Sequence, residues 1–135
     1  MELLEKANIT ADITNQNYLV QIKSPHHHLL ADEPLEKGGQ DLGMAPFELL
    51  ASSLVACTLI TLKMYADFKQ IPLEKAEVQV KFLADEKNTE TKFVREIQLI
   101  GELDAETQER LLRVANSCPV HKLLSKANVI DTVLI

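Results

Sequence analysis

The stretch that decides the fold runs from Gly38 to Gln70 and reads GGQDLGMAPFELLASSLVACTLITLKMYADFKQ. Its glycines indicate a turn, and Pro46 suits the first turn of a helix because its φ is fixed and its missing N–H costs no hydrogen bond there. Fourteen uncharged residues follow from Leu49 to Leu62, which is fewer than the about twenty that a bilayer span needs. We therefore predict one long helix, from about Pro46 to Lys69, buried in protein on most of its circumference.

One face of this predicted helix contains the first of the chain's two cysteines. Apolar and small residues recur there at intervals of three and four, the spacing of a helix face that packs against a core. The members of this face are Leu50, Ser53, Leu54, Cys57, Ile60, Thr61 and Met64. We expect Cys57 to lie in the middle of a buried stripe.

Length and composition are those of one ordinary globular domain over residues 1–135, with 46% hydrophobic and 25% charged residues. The net charge of −6 and the few aromatic residues argue against a nucleic-acid partner. Residues 1–8 have neither the basic start nor the apolar centre of a signal peptide, so we expect a cytoplasmic protein with no membrane partner. Two cysteines in a reducing compartment are expected to be thiols or a redox couple.

The sequence of the rest of the chain predicts antiparallel strands and two further helices. Asp104 and Cys118 are placed as helix N-caps, each ahead of a short run with helical periodicity. Alternating β-formers predict the strands. The expected elements are a hairpin at 9–14 and 17–23, a third strand at 26–31, a hairpin at 76–82 and 93–100 packed on the long helix, helices after Asp104 and at 120–126, and a last strand at 129–135. The prediction is a mixed α+β domain with helices against antiparallel sheet.

The segment Cys118-Pro119-Val120-His121 is the most suggestive local arrangement for chemistry. A thiol at a helix N-terminus faces unpaired N–H groups, which favour thiolate, and His121 could add charge or accept a proton. A reactive cysteine and a buried cysteine without chemistry are equally good interpretations of this segment. Cys57, on an apolar stripe, taken alone favours the inert interpretation. As a pair the two thiols suit peroxide reduction, in which one attacks the peroxide and the other resolves the sulfenic acid.

Two other groups of polar residues are assigned no catalytic role. His26, His27 and His28 are adjacent on a strand and point to alternate faces, so they cannot converge on one metal ion, and no metal site is expected. Glu48 falls in the first turn of the long helix, where the helix dipole favours a carboxylate. It lies on the opposite side of that helix from Cys57.

Four segments in fixed order distinguish the chain: ADEP at 31–34, GGQDLG at 38–43, PFELLASSLVACT at 46–58 and RLLRVANSCPVHK at 110–122. In order and spacing they resemble the OsmC/Ohr superfamily of thiol-dependent hydroperoxide reductases, and within it an OsmC-like subgroup with the ADEP segment and a CPVH second cysteine. The resemblance implies an α+β, OsmC-like fold in which two long helices of an intertwined homodimer are enclosed by antiparallel sheets of both chains. It places each active site at the dimer interface.

The resemblance also implies roles for individual residues in defence against organic hydroperoxides. Cys57 would be the peroxidatic thiolate and Cys118 the resolving thiol, and a dithiol donor such as a lipoylated protein or a small thiol would restore the pair, with no cofactor. Members of the family have a Glu just after the helix-start proline and an Arg in the N-terminal region. This chain has Phe47 at the first position and no arginine before Arg95. Glu48, one place further, and Lys23 or Lys37 are the substitutes that the chain offers.

Two other functions stay open at this point. One is a thiol-disulfide or acyl-type cysteine enzyme in which His121 serves as base. The other is a dimeric binding protein whose interface pocket, lined by Phe47, Leu50, Leu54 and Met64, holds a small apolar ligand beside reduced cysteines. Cys57→Ser separates them from a peroxidase, because only a peroxidase would lose peroxide consumption.

Overall fold

The computed structural model describes all 135 residues, which divide into two compact units, residues 1–50 and 51–135. The single domain expected from chain length stays a prediction, and each unit is described by itself. The long helix α1 (Pro46–Phe68) begins in the first unit and continues through the second. Its start at Pro46 and its end next to Lys69 are close to the predicted bounds.

The first unit is built on a three-stranded antiparallel sheet, β1 (Thr10–Ile13), β2 (Val20–Lys23) and β3 (His28–Ala31), in the order β1-β2-β3. The predicted hairpin and third strand are therefore confirmed. A short 3-10 helix (Leu35–Lys37) follows and ends at Gly38, whose φ of 90° is one that a residue with a Cβ rarely adopts.

The Asp32 side chain organises the loop between β3 and α1. The side chain is only 2% exposed. Every hydrogen bond that its carboxylate accepts comes from a backbone N–H group. Oδ1 accepts hydrogen bonds from Tyr18 (3.2 Å) and Glu33 (2.8 Å), and Oδ2 accepts them from Gln40 and Leu42 (both 3.2 Å). The loop approaches so closely that a Cβ on Gly39 would overlap the carbonyl of Glu33. The glycine turn is thus folded around one carboxylate.

The second unit contains most of α1, a two-stranded antiparallel hairpin and two shorter helices. The hairpin is β4 (Leu73–Ala84) and β5 (Thr91–Gly101), and the helices are α2 (Ala105–Asn116) and α3 (Pro119–Leu124). The buried core joins α1, β4 and α2, with Ile97 and Leu99 of β5 packed against it. Its buried members are Leu62, Ala66, Leu73, Leu111 and Ala115. The mixed α+β prediction and the predicted packing of the hairpin on the long helix are confirmed.

The predicted buried stripe of α1 is wrong for most of its members. The residues that the chain buries are Leu54, Thr58, Leu62 and Ala66, a row with a spacing of four. Of the predicted stripe, Leu54 is buried, Cys57 and Thr61 are half-buried, and the other four are exposed: Leu50, Ser53, Ile60 and Met64. The hairpin and α2 cover one side of the helix, so the chain alone does not enclose its whole circumference.

The predicted last strand at 129–135 is also wrong. Residues 127–135 have no secondary structure, and the apolar side chains from Val129 to Ile135 are exposed. A β-forming run becomes a strand only where it meets a sheet edge, and here it meets none within the chain.

By length and composition alone, α1 could cross a membrane. A core helix of a soluble protein passes the same test, so a single helix of this kind is weak evidence for a membrane span. The expectation of no membrane partner stays a prediction.

Candidate active site

Cys118 lies at the junction of α2 and α3, where the sequence predicted a helix N-cap. Its backbone is extended (φ −62°, ψ 142°), and its Sγ accepts a hydrogen bond from the His121 N–H at 3.3 Å. The residue is 0% exposed. The N-cap prediction is confirmed, and the thiol is both buried and hydrogen-bonded.

Cys57 is in a different environment on α1. It is half-buried, and its Sγ lies 4.0 Å from the Thr61 Oγ1 one turn further along the helix. Neither cysteine is in a disulfide. Of the two cysteines, Cys57 is therefore the more exposed.

A guanidinium group occupies the centre of the site. Arg95 extends from β5 and donates hydrogen bonds from Nη1 to the Thr58 Oγ1 (3.1 Å) and from Nη2 to the Asn116 Oδ1 (2.9 Å). Its Nη2 also lies 2.9 Å from the His121 Nδ1. Arg95 thereby joins three helices: α1 at the residue after Cys57, the last residue of α2, and α3.

Thr58 holds the α1 end of this network in place. It is 0% exposed, and its hydroxyl donates a 2.6 Å hydrogen bond to the Leu54 carbonyl while accepting one from Arg95. Cys57 is the preceding residue and points about 100° away around the helix. On the other side of Arg95, His121 contacts Cys118 through its backbone N–H. One guanidinium is thus connected to the neighbourhood of both thiols.

His121 is held as a neutral imidazole. Burial lowers the pKa of its side chain below the usual 6.5, and the positive charge of Arg95 lowers that pKa further. Since a guanidinium can only donate, we assign the lone pair of Nδ1 to the contact with Arg95 and the proton to Nε2.

A cleft of about 230 Å³ opens beside the guanidinium. Apolar side chains and polar groups share its lining, which consists of Leu54, Phe93, Arg95, His121, Leu124 and Ser125. Of the pocket residues predicted from sequence, Leu54 lies here. Met64 is 68% exposed on another side of α1, and Phe47 and Leu50 belong to the first unit, where both are exposed.

The two predicted supporting residues of the first unit are placed as follows. Glu48 accepts a hydrogen bond from the Ala45 N–H at 3.0 Å, as a carboxylate in a first helical turn does. Lys37 is exposed at the end of the 3-10 helix. Support of Cys57 by Glu48 or Lys37 stays a prediction.

Sequence reasoning missed Arg95, Thr58 and Asn116 as members of the site. A signal for Arg95 was present, because Phe93, Arg95, Ile97 and Leu99 alternate along β5 and form its more buried side. A charged residue in an inward position of a strand is rare enough to mark a candidate site. Thr58 and Asn116 gave no comparable signal.

Comparisons with known proteins place this architecture in a family. The family model described as "OsmC-like protein" matches residues 38–133. No curated protein matches the chain. An OsmC-like protein of Mycoplasma pneumoniae has the same fold with a TM-score of 0.78 at 21% identity, over 91% of this chain and 89% of that one.

Two similar structures come from proteins named for hydroperoxide resistance. One is an organic hydroperoxide resistance protein, OsmC, of Legionella pneumophila (TM-score 0.66, 22% identity, 91% of each chain). The other is the organic hydroperoxide resistance protein OhrB of Bacillus subtilis (TM-score 0.60, 24% identity, 90% of this chain and 91% of that one). At these identities the likeness establishes the fold, which confirms the predicted α+β, OsmC-like architecture of the chain.

Proposed function

The chain belongs to the OsmC-like protein family, and from this premise we propose that it is a thiol-dependent hydroperoxide reductase that uses Cys57 and Cys118. The observation that most supports the proposal is the Arg95 network, which connects the residue after Cys57 to the helix that Cys118 caps. The names of the hydroperoxide resistance proteins with this fold agree with it.

The difference in exposure of the two thiols supports separate roles for them. The half-buried Cys57 attacks the distal oxygen of ROOH as a thiolate, the O–O bond breaks, and the departing alkoxide takes up a proton to give ROH, leaving Cys57 as a sulfenic acid. The Cys118 thiol then attacks that sulfur, and a disulfide and water form. Because Cys118 is fully buried, peroxide reaches it less readily than it reaches Cys57. An external dithiol reduces the disulfide and restores both thiols.

Arg95 supplies the guanidinium that the N-terminal segment of this chain lacks. The family's N-terminal Arg is absent, and Phe47 replaces the usual Glu. The Arg95 guanidinium can stabilise negative charge that develops on sulfur or on the leaving oxygen. The proposal therefore assigns to β5 a role that the resemblance assigned to the N-terminal region.

His121 is assigned no role as a base. Its ring contacts Arg95, and the group that contacts the Cys118 sulfur is the backbone N–H of His121. An acyl-type cysteine enzyme with His121 as base would need a contact between the ring and a sulfur. The observed arrangement therefore favours the peroxidase over that alternative.

We further infer that the protein is a homodimer. Ile60, Met64 and Phe68 form an exposed apolar row on α1, with exposed fractions of 54%, 68% and 79%. A second copy would cover this row. Light scattering should give twice the chain mass of 15.1 kDa, and Met64→Glu should give the monomer while Met64→Leu stays dimeric. A monomeric wild type would contradict the inference.

The first test of the peroxidase is intact mass with a free-thiol count after one equivalent of cumene hydroperoxide, with hydrogen peroxide in parallel. The wild type should lose about 2 Da and both thiols as the disulfide forms. Cys118→Ser should stop at the sulfenic acid, about 16 Da heavier and reactive with dimedone. Cys57→Ser should keep its mass. If both wild-type thiols survive the organic peroxide, the proposal is wrong.

A further inference from the structure

The positive charge of Arg95 has no negative partner in the chain. Its three contacts are a hydroxyl, an amide and an imidazole that is neutral. The two ion pairs of the chain, Lys63 with Asp67 and Lys75 with Glu77, lie elsewhere. A half-buried charge without a counter-charge is unfavourable, and an anion that reached it would gain more than at an exposed arginine.

The guanidinium also has hydrogen-bonding capacity to spare. It has five N–H donors, and its three contacts use three of them. The partners come from three different helices and hold the group in one place. A ligand would therefore meet a charged donor that is already positioned, which lowers the entropy cost of binding.

The cleft beside Arg95 restricts the shape and charge of that ligand. Leu54, Phe93 and Leu124 give it apolar walls, and the Nε2–H of His121 adds a neutral donor. Its volume of about 230 Å³ suits a small molecule. A ligand that fits this cleft therefore has one negative charge, which pairs with Arg95, and an apolar chain, which contacts the apolar walls.

We propose that this cleft binds a small carboxylate with an apolar tail, the carboxylate on Arg95 and the tail against Leu54, Phe93 and Leu124. The site does not depend on the thiols or on the proposed peroxidase activity. It goes beyond that activity, because the ligand contains no peroxide group.

The test uses octanoate as the probe, and octanol and acetate as its uncharged and tail-less controls. Binding to the reduced wild type is followed by calorimetry and by methyl and aromatic NMR shifts. Octanoate should bind at least about tenfold more tightly than either control, since a charge-assisted hydrogen bond and the apolar contact each add to affinity. The shifts should centre on Leu54, Phe93 and Leu124.

Two arginine variants decide whether the charge at Arg95 is responsible. Arg95→Gln should weaken octanoate about tenfold or more while leaving octanol unchanged, and Arg95→Lys should keep part of the affinity. Arg113→Gln, on the exposed side of α2, should bind as the wild type does. Equal binding of octanoate and octanol by the wild type would overturn the proposal without any variant. Unchanged octanoate affinity in Arg95→Gln would overturn it as well.

Discussion

Asp32 in the first unit and Arg95 in the second each lie at the centre of a hydrogen-bond network, and the two networks are built in opposite ways. Asp32 accepts four hydrogen bonds, all from backbone N–H groups of its own unit. Arg95 donates to three neutral side-chain partners and retains unused donors beside a cleft. Neither charge forms an ion pair.

The titration of Asp32 reflects its saturated network. Burial raises the pKa of the Asp32 carboxyl, but the backbone N–H groups of Glu33, Leu42, Gln40 and Tyr18 lower it, so that the net pKa lies below the usual 3.8. A charge satisfied in this way has no capacity for a ligand. Backbone groups thus satisfy the Asp32 charge completely, whereas side chains position the Arg95 charge and leave part of its donor capacity unused.

Asp32→Asn should have the largest effect of the changes considered. An amide has one oxygen in place of two, so its NH₂ group would face two of the four backbone donors and leave them without an acceptor. We expect Tm to fall by about 10 °C or more. Differential scanning calorimetry at pH 7 measures the change.

Asp41→Asn is the matched control for Asp32→Asn. Asp41 is an exposed residue of the same loop with a φ of 56°, which asparagine tolerates. Its Tm should stay within about 2 °C of the wild type. If Asp32→Asn has the same Tm as this control, the four hydrogen bonds of Asp32 do not stabilise the loop.

Gly39→Ala tests the same network from the backbone side. The new Cβ would overlap the backbone carbonyl of Glu33 and crowd the Asp32 Oδ1, which two backbone N–H groups hold in place. We expect a loss of about 1–3 kcal/mol of unfolding free energy, measured by urea denaturation. Gly38→Asn is the comparison variant, because a Cβ there meets only the Tyr18 ring at an ordinary 3.4 Å and the cost is confined to backbone strain at a φ of 90°. Equal losses in the two variants would show that backbone conformation, not crowding around Asp32, limits this turn.

Thr58→Val tests the Arg95 network by removing one of its three partners. The substitution keeps the shape of a fully buried side chain but removes the hydroxyl that accepts from Arg95 and donates to the Leu54 carbonyl. A loss of about 1 kcal/mol in the free energy of unfolding is expected. Thr61→Val, half-buried one turn away, should cost less because its hydroxyl has only the 4.0 Å contact with Cys57. A Thr58→Val protein no less stable than Thr61→Val would remove Thr58 from the network.

The same contrast explains how far the sequence could predict this molecule. Pro46 at a helix start, Asp104 accepting from the Thr107 N–H and Cys118 accepting from the His121 N–H were predictable because each contact spans three residues or fewer. The partners of Arg95 are 21, 26 and 37 residues away, so the fold has to bring them together. The pattern of apolar residues likewise could not predict which row of α1 the hairpin and α2 would cover. Nor could it predict that residues 129–135 would meet no sheet edge.

The smallest expected effect is a change in pH dependence at His121. Because burial and Arg95 lower the pKa of its side chain below 6.5, the unfolded chain binds a proton that the native state does not, at pH values between the two pKa values. Its contribution to stability is therefore complete above pH 6.5 and is lost as pH falls below it. His121→Asn should flatten the fall in unfolding free energy between pH 7.5 and 5.5, measured by urea denaturation at each pH.

His26→Asn, which replaces an exposed histidine, is the control variant for His121→Asn. Asp32 does not interfere in this range. The native pKa of the Asp32 carboxyl lies below 3.8, so the contribution of Asp32 to the free energy of unfolding is complete above pH 3.8. That contribution is lost only as the pH falls through the native pKa. Parallel slopes for the wild type and His121→Asn would mean that folding does not lower the pKa of the His121 side chain. That result would contradict the effect of burial and of the Arg95 charge on this imidazole.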